Sequence, residues 1–119
     1  MNPAYIDFLT RLKNATLAGS QSLVTPNSRY CLNLAELLQK YHFLESYAKT
    51  KDGIQISNPQ ISHLKFFSTP GHRLYQKASE LPWGISHQSL IIVSTSSGLM
   101  SQKEAQKRNL GGEIIAEIY

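Results

Sequence analysis

The sequence predicts an α+β protein built as two small halves, helix-rich first and sheet-rich second. Two amphipathic periodicities fill its first third, strand-sized apolar segments dominate after Asn58-Pro59, and no stretch approaches the ~20 apolar residues of a membrane span. The 119 residues suit one or two compact domains, and a 41% hydrophobic content against 17% charged is enough for a core rather than a disordered chain.

The first helix is expected from Pro3 to Ala18, with Asn2 as cap and Pro3 in the first helical position. Tyr5, Phe8, Leu9 and Leu12 share one face, and Asp7, Thr10, Arg11 and Asn14 fall opposite. Gly19 ends it, and Leu23-Val24-Thr25 is a short extended piece before Pro26. A second helix runs from Ser28 to Tyr41, with Cys31, Leu34, Ala35, Leu38 and Tyr41 on its apolar side. Phe43 to Ala48 reads as extended, Lys51-Asp52-Gly53 as a turn and Ile54-Gln55-Ile56 as a strand. Asn58-Pro59 breaks the pattern and divides the chain into residues 1–58 and 59–119.

Beyond the break, Ile61 to Phe67 and His72 to Gln76 are expected strands around a Ser68-Thr69-Pro70-Gly71 turn, and Leu81-Pro82 marks a loop. Leu90 to Thr95 is the clearest strand. Ser101-Gln102-Lys103-Glu104 is a capping box that opens a short helix to Arg108, closed by Leu110-Gly111-Gly112. Glu113 to Tyr119 is the last strand.

Charge and cysteine usage narrow the functional classes. The formal charge is +4, and residues 61–110 hold Lys65, Arg73, Lys77, Lys103, Lys107 and Arg108 against only Glu80 and Glu104. That excess suits an anionic partner or an ordinary solvated surface equally. One cysteine, Cys31, excludes an internal disulfide framework and a cysteine-based zinc knuckle. The N-terminus lacks the basic-then-apolar layout of a secretory signal, and Asp7 argues against a transit peptide.

Fourteen serines are unusual, and four fall within Ser94-Thr95-Ser96-Ser97-Gly98-Leu99-Met100-Ser101. Hydroxyls at a strand end, followed by Gly98 and a helix start, can hold a phosphate or the edges of unpaired bases; a polar turn with a helix cap is the structural alternative. A nucleophilic Ser96 or Ser97 would need a base held by a third group. Ser96-Ser97-Gly98 is not a nucleophile elbow, and Asp7 and Asp52 are the only aspartates. His42, His63, His72 and His87 have no metal-ligand spacing, so neither a metal nor a cofactor is expected.

In Pro70-Gly71-His72-Arg73-Leu74-Tyr75, Arg73 can meet phosphate. Tyr75, on the same strand face, offers a ring to a base or ribose, or packs in the core. Thr10, Arg11 and Asn14 form a polar patch on the first helix, with an Asp7–Arg11 pair as the structural alternative.

Together these segments resemble the small-subunit ribosomal protein eight family. Asp7-Phe8-Leu9-Thr10-Arg11-Leu12-Lys13-Asn14 is similar to its opening helix, and Pro70-Gly71-His72-Arg73-Leu74-Tyr75 to its Pro-Gly-x-Arg-x-Tyr stretch. Ser94 to Met100 with Gly111-Gly112-Glu113 resembles its Ser-Thr-Ser-Lys-Gly-x-Met and Gly-Gly-Glu pair. The resemblance implies a non-enzymatic protein of two α+β halves that binds a stem with an irregular internal loop in the central domain of small-subunit ribosomal RNA. It also implies neighbouring small-subunit proteins as partners, with no membrane and no small-molecule substrate.

Carried over, Ser94, Thr95 and Ser96 meet the internal loop, Tyr75, Gly111, Gly112 and Glu113 line the same surface, and Thr10, Arg11 and Asn14 face a second RNA contact. Ser97, Gly98, Arg73 and Lys103 are further RNA-binding candidates. The setting implied is a ribosome of the bacterial cytoplasm or of an organelle such as the mitochondrion. Three departures stand out: Ser97 replaces the usual lysine, His87-Gln88-Ser89 replaces Gly-Leu-Gly, and residues 48–67 are shorter than usual. From other classes, a small serine hydrolase using Ser94 to Ser97 and a protein-binding adaptor are the alternatives.

Overall fold

The computed structural model describes residues 3–68, 71–81 and 89–119. The expected Asn2 cap, Thr69-Pro70 of the turn, Pro82 of the loop, and His87 and Gln88 lie outside the described residues. Close packing divides the chain into two compact units, one ending at Ser62 and one spanning His63–Tyr119. The architecture is α+β, with two longer helices in the first unit and the larger sheet in the second. No helix among the described residues is long and apolar enough to cross a membrane.

In the first unit, α1 (Pro3–Leu17) buries Tyr5, Phe8, Leu9, Leu12 and Ala15, as its spacing dictates. Helix α2 (Arg29–Lys40) starts where Ser28 accepts the Cys31 amide through its hydroxyl, and buries Cys31, Leu34, Ala35, Leu37 and Leu38. Strands β1 (Ser22–Thr25), β2 (Ser46–Thr50) and β3 (Gly53–Ser57) form an antiparallel sheet in the order β1-β3-β2, with Ile54 and Ile56 wholly buried. Strand β2 starts three residues later than expected: the Phe43 amide closes the end of α2 on the Leu38 carbonyl, so the chain is still turning there. Residues 58 to 61 are tied to this unit. The Asn58 amide donates to the Gln21 carbonyl, the Ile61 amide donates to Thr16 Oγ1 at 3.1 Å, and Ile61 is fully buried.

The second unit is a sheet centred on β8 (Gly112–Ile118). It lies between β6 (Leu90–Thr95) on one side and both β4 (Leu64–Phe66) and β5 (Tyr75–Gln76) on the other, with β7 (Gly98–Ser101) outside β6. Ile91, Val93, Met100 and Ile114 pack with Leu81 and with Ala105 of α3 (Gln102–Lys107). The opposite face carries the pairs Leu90–Ile118 and Ile92–Ala116, and continues to Ser94 and Glu113.

The structure adds one strand and corrects two expectations. Residues 98–101, where no strand was expected, form β7, paired with β6, and Ser101 caps α3 as expected by accepting the Glu104 amide at 3.2 Å. The helix closes on Asn109, not on the glycine pair. Asn109 takes φ 56° while the Leu110 amide reaches back to the Ala105 carbonyl at 2.8 Å, the bond pattern of a Schellman end. The expected strands 61–67 and 72–76 shrink to β4 and β5: Ile61 is held by the first unit, and beyond Phe66 the Ser68 side chain replaces part of the ladder.

Candidate nucleic-acid interface

The hydroxyl cluster is a hairpin. Val93 pairs with Met100, Ser94 with Leu99 and Thr95 with Gly98, which leaves Ser96 and Ser97 as a two-residue tip. Thr95 Oγ1 donates to the Gly98 carbonyl at 2.9 Å and accepts the Ser97 amide at 3.1 Å. Gly98 sits at φ 111°, a conformation open to glycine. Hairpin β2–β3 repeats the device: Thr50 Oγ1 donates to the Gly53 carbonyl at 3.0 Å. Thr95 thus holds the turn, while Ser96, Ser97 and Gly98 are exposed beyond it.

A bulge decides what stands beside the hairpin. Ile92 pairs with Ala116 but Val93 pairs with Ile114, so Ile115 is the extra residue on β8. Without that extra residue Ser94 would oppose Ile114. With it Ser94 opposes Glu113, and Glu113 in turn opposes Tyr75 on β5. Three adjacent strands therefore present Tyr75, Glu113 and Ser94 on one face, with about 10 Å between the outer two. Tyr75 is 61% exposed, which removes the core-packing alternative for its ring. Glu113 is 9% exposed.

The glycine pair makes this closeness possible. A Cβ on Gly112 would fall on the Ser94 carbonyl, and one on Gly111 would lie 2.6 Å from the Gln76 carbonyl. Any larger residue would push β8 away from β6 and from the segment after β5.

Ser68 was not visible as a functional position and proves central. It is wholly buried, its hydroxyl donates to the Ile114 carbonyl at 2.6 Å, and it accepts the Leu74 amide at 2.9 Å. The Leu74 carbonyl accepts the Ile114 amide at 2.8 Å. The side chain thereby pins the segment leading into Tyr75 onto β8. A buried serine that serves two backbone groups has no sequence signature. The same segment carries Arg73, which is exposed but lies before the paired part of β5.

An open pocket of about 590 Å³ adjoins this face, lined by Tyr75, Gln76, Lys77, Asn109, Gly111 and Gly112 among others. Lys103 is exposed in the first turn of α3, which packs on the sheet face opposite Ser94 and Glu113. Arg108 pairs with Glu104 at 2.8 Å, one turn away on α3. Thr10, Arg11 and Asn14 are exposed on α1, in the other unit, and Arg11 Nε donates to Asp7 Oδ2 at 2.9 Å. That half-exposed pair contributes only about 0.2–0.5 kcal/mol and leaves most of the guanidinium open to solvent.

The fold and this surface define a two-unit α+β protein with a hydroxyl-tipped hairpin beside a tyrosine-glutamate-serine face. The profile of the family described as ribosomal protein S8 matches residues 4–119. Small ribosomal subunit protein uS8 of Lactobacillus delbrueckii is 40% identical over 95% of this chain and 94% of its own length. The uS8 of Staphylococcus aureus is 36% identical over 100% and 98%, and protein uS8c of Oltmannsiellopsis viridis 34% over 100% and 99%. The chain belongs to the ribosomal protein S8 family.

Proposed function

We propose that this chain is a structural constituent of the small ribosomal subunit that binds the central-domain stem of small-subunit ribosomal RNA and supports its assembly, without catalysing a reaction. Its place is the ribosome of a bacterial cytoplasm or of an organelle, among neighbouring small-subunit proteins. The observation that carries the RNA contact is the bulge-aligned face of Tyr75, Glu113 and Ser94 next to the exposed Ser96-Ser97 tip.

A-form RNA buries its base edges in a deep groove, so a protein reads shape, ribose hydroxyls and irregular bases. Short hydroxyls on a braced strand end suit that task. Ser94 and Ser96 meet the internal loop, Thr95 sets their geometry, and Tyr75 supplies a stacking ring. Gly111 and Gly112 let β8 close up against β6 and the segment after β5, which holds this face together; Arg73 supplies a phosphate contact, and Lys103, on the opposite face, adds only to the sequence-independent attraction for RNA. Ser97 stands where the family usually places lysine, which shifts the balance further from charge to hydrogen bonds. Thr10, Arg11 and Asn14 form a second, separate RNA contact. The serines act as contacts and not as nucleophiles, since the tip is organised by Thr95 around backbone groups.

Filter binding to the central-domain stem at several salt concentrations tests this. The Ser96→Ala variant is expected to bind the cognate stem about 1–3 kcal/mol more weakly while leaving the weak binding to a regular duplex unchanged. Equal affinity of the variant and the unmodified protein for the cognate stem would remove the hairpin from the interface.

A further inference from the structure

We infer that a second pocket, in the first unit, holds an arginine side chain of a neighbouring small-subunit protein, with Glu45 as its acceptor. That the neighbour is a small-subunit protein rests on the ribosomal function proposed above; the arginine chemistry rests on the pocket alone. The pocket, of about 500 Å³, is lined by Gln39, His42, Leu44, Glu45, Asn58 and Gln60. Leu44 is buried and the other five are exposed. Backbone bonds fix the segments that meet here: the Glu45 amide donates to the Ser57 carbonyl at 2.9 Å, and the Gln60 amide to the Phe43 carbonyl at 2.8 Å.

Glu45 leaves this pocket rich in acceptors. Asn58 Nδ2 donates to Glu45 Oε2, and Gln39 Nε2 donates to the Glu45 carbonyl at 3.2 Å. Each amide spends a donor on Glu45 and keeps its own oxygen for a ligand, beside Glu45 Oε1. Among the described residues no basic side chain pairs with that carboxylate; Lys40 lies over the Tyr41 ring instead. The pocket also adjoins the C-terminal end of α2, the negative end of its dipole. A carboxylate and a negative helix end repel phosphate, so the occupant is a cation and not RNA backbone. Several acceptors around one carboxylate match the five fixed donors of a guanidinium better than the compact charge of a lysine. The backbone supports a ligand site. His42 and Asn58 take φ 67° and 49°, the left-handed region that favours glycine, and both line the pocket. Such strain gathers where side chains are held for a ligand.

Two experiments test this. In the first, the intact chain is titrated with a blocked glycyl-arginyl-glycine tripeptide while the side-chain amide NMR signals of Gln39, Asn58 and Gln60 are followed. The arginine peptide is expected to shift all three, and its citrulline counterpart, isosteric but uncharged, to shift none. Glu45→Gln should weaken the peptide about 3- to 10-fold while leaving the melting temperature and the binding of the ribosomal RNA stem unchanged. Equal binding of the arginine and citrulline peptides, or no binding of the arginine peptide, overturns the assignment. In the second, a photo-cross-linker replaces Gln60 in cells and small subunits are purified by sedimentation. The adduct is expected to resist ribonuclease, to map to an arginine-containing segment of another small-subunit protein, and to fall in yield with Glu45→Lys. An RNA adduct, or a protein adduct indifferent to Glu45→Lys, overturns the assignment. If the chain is absent from small subunits, the ribosomal function itself fails, and the tripeptide titration still decides the arginine chemistry.

Discussion

Replacing Ser68 by alanine isolates the joint that positions Tyr75. The hydroxyl is wholly buried and serves two backbone groups, the Ile114 carbonyl at 2.6 Å and the Leu74 amide at 2.9 Å. Removing a partner from a buried polar group costs about 1–3 kcal/mol, and a partly buried one about half as much because water can replace the partner. The carbonyl belongs to the first kind and the amide to the second, so Ser68→Ala should lose about 1.5–4.5 kcal/mol. That is a large share of the stability of a small domain. Urea denaturation followed by far-ultraviolet circular dichroism would read it as a lower midpoint at an unchanged slope. Below the transition the variant should also bind the cognate stem more weakly, because the segment before Tyr75 is released from β8. A loss under about 0.5 kcal/mol, the ordinary scatter of surface substitutions, would refute the reasoning.

Gly112→Ala should cost about 2–3 kcal/mol by forcing β8 from β6, and should abolish stem binding, read by denaturation and filter binding together. Thr95→Val removes the hydroxyl that closes the hairpin; since the tip is exposed, stability should fall only by about 0.5–1.5 kcal/mol while cognate binding falls further, and Thr95→Ser should restore both. Lys103→Ala should weaken binding to all RNAs alike and flatten the slope of log affinity against log salt.

The parts of the fold legible in the sequence are those set by local periodicity and caps. Tyr5, Phe8, Leu9 and Leu12 define α1, Ser28 starts α2 and Leu90 to Thr95 is β6 at both ends. Strand β7 was hidden because Gly98-Leu99-Met100-Ser101 lacks a clean alternation and its extended state comes from pairing with β6. The left-handed turn after α3 fell to Asn109, a residue type that tolerates it less readily than the glycines that follow.

For the candidate surface, residue types pointed to Ser94 and Tyr75 separately, and Glu113 entered only through the family resemblance. What sets them side by side is the extra residue Ile115, and nothing in Glu113-Ile114-Ile115-Ala116 announces a bulge. Ile115 also accepts the Phe67 and Ser68 amides through its carbonyl, so the bulge and the shortened strand β4 arise from the same place. Ser68 acts through tertiary neighbours, and a single sequence does not display those.

The face of Tyr75, Glu113 and Ser94 with its hairpin tip is expected to grip an irregular stem in the central domain of small-subunit ribosomal RNA. Photo-cross-linkers placed at positions 75 and 96 in intact cells, followed by sequencing of the attached RNA, address it directly. Both positions are expected to yield fragments from one internal loop of that domain. Cross-links to other RNA regions, or to protein alone, would mean that this face does not hold the stem.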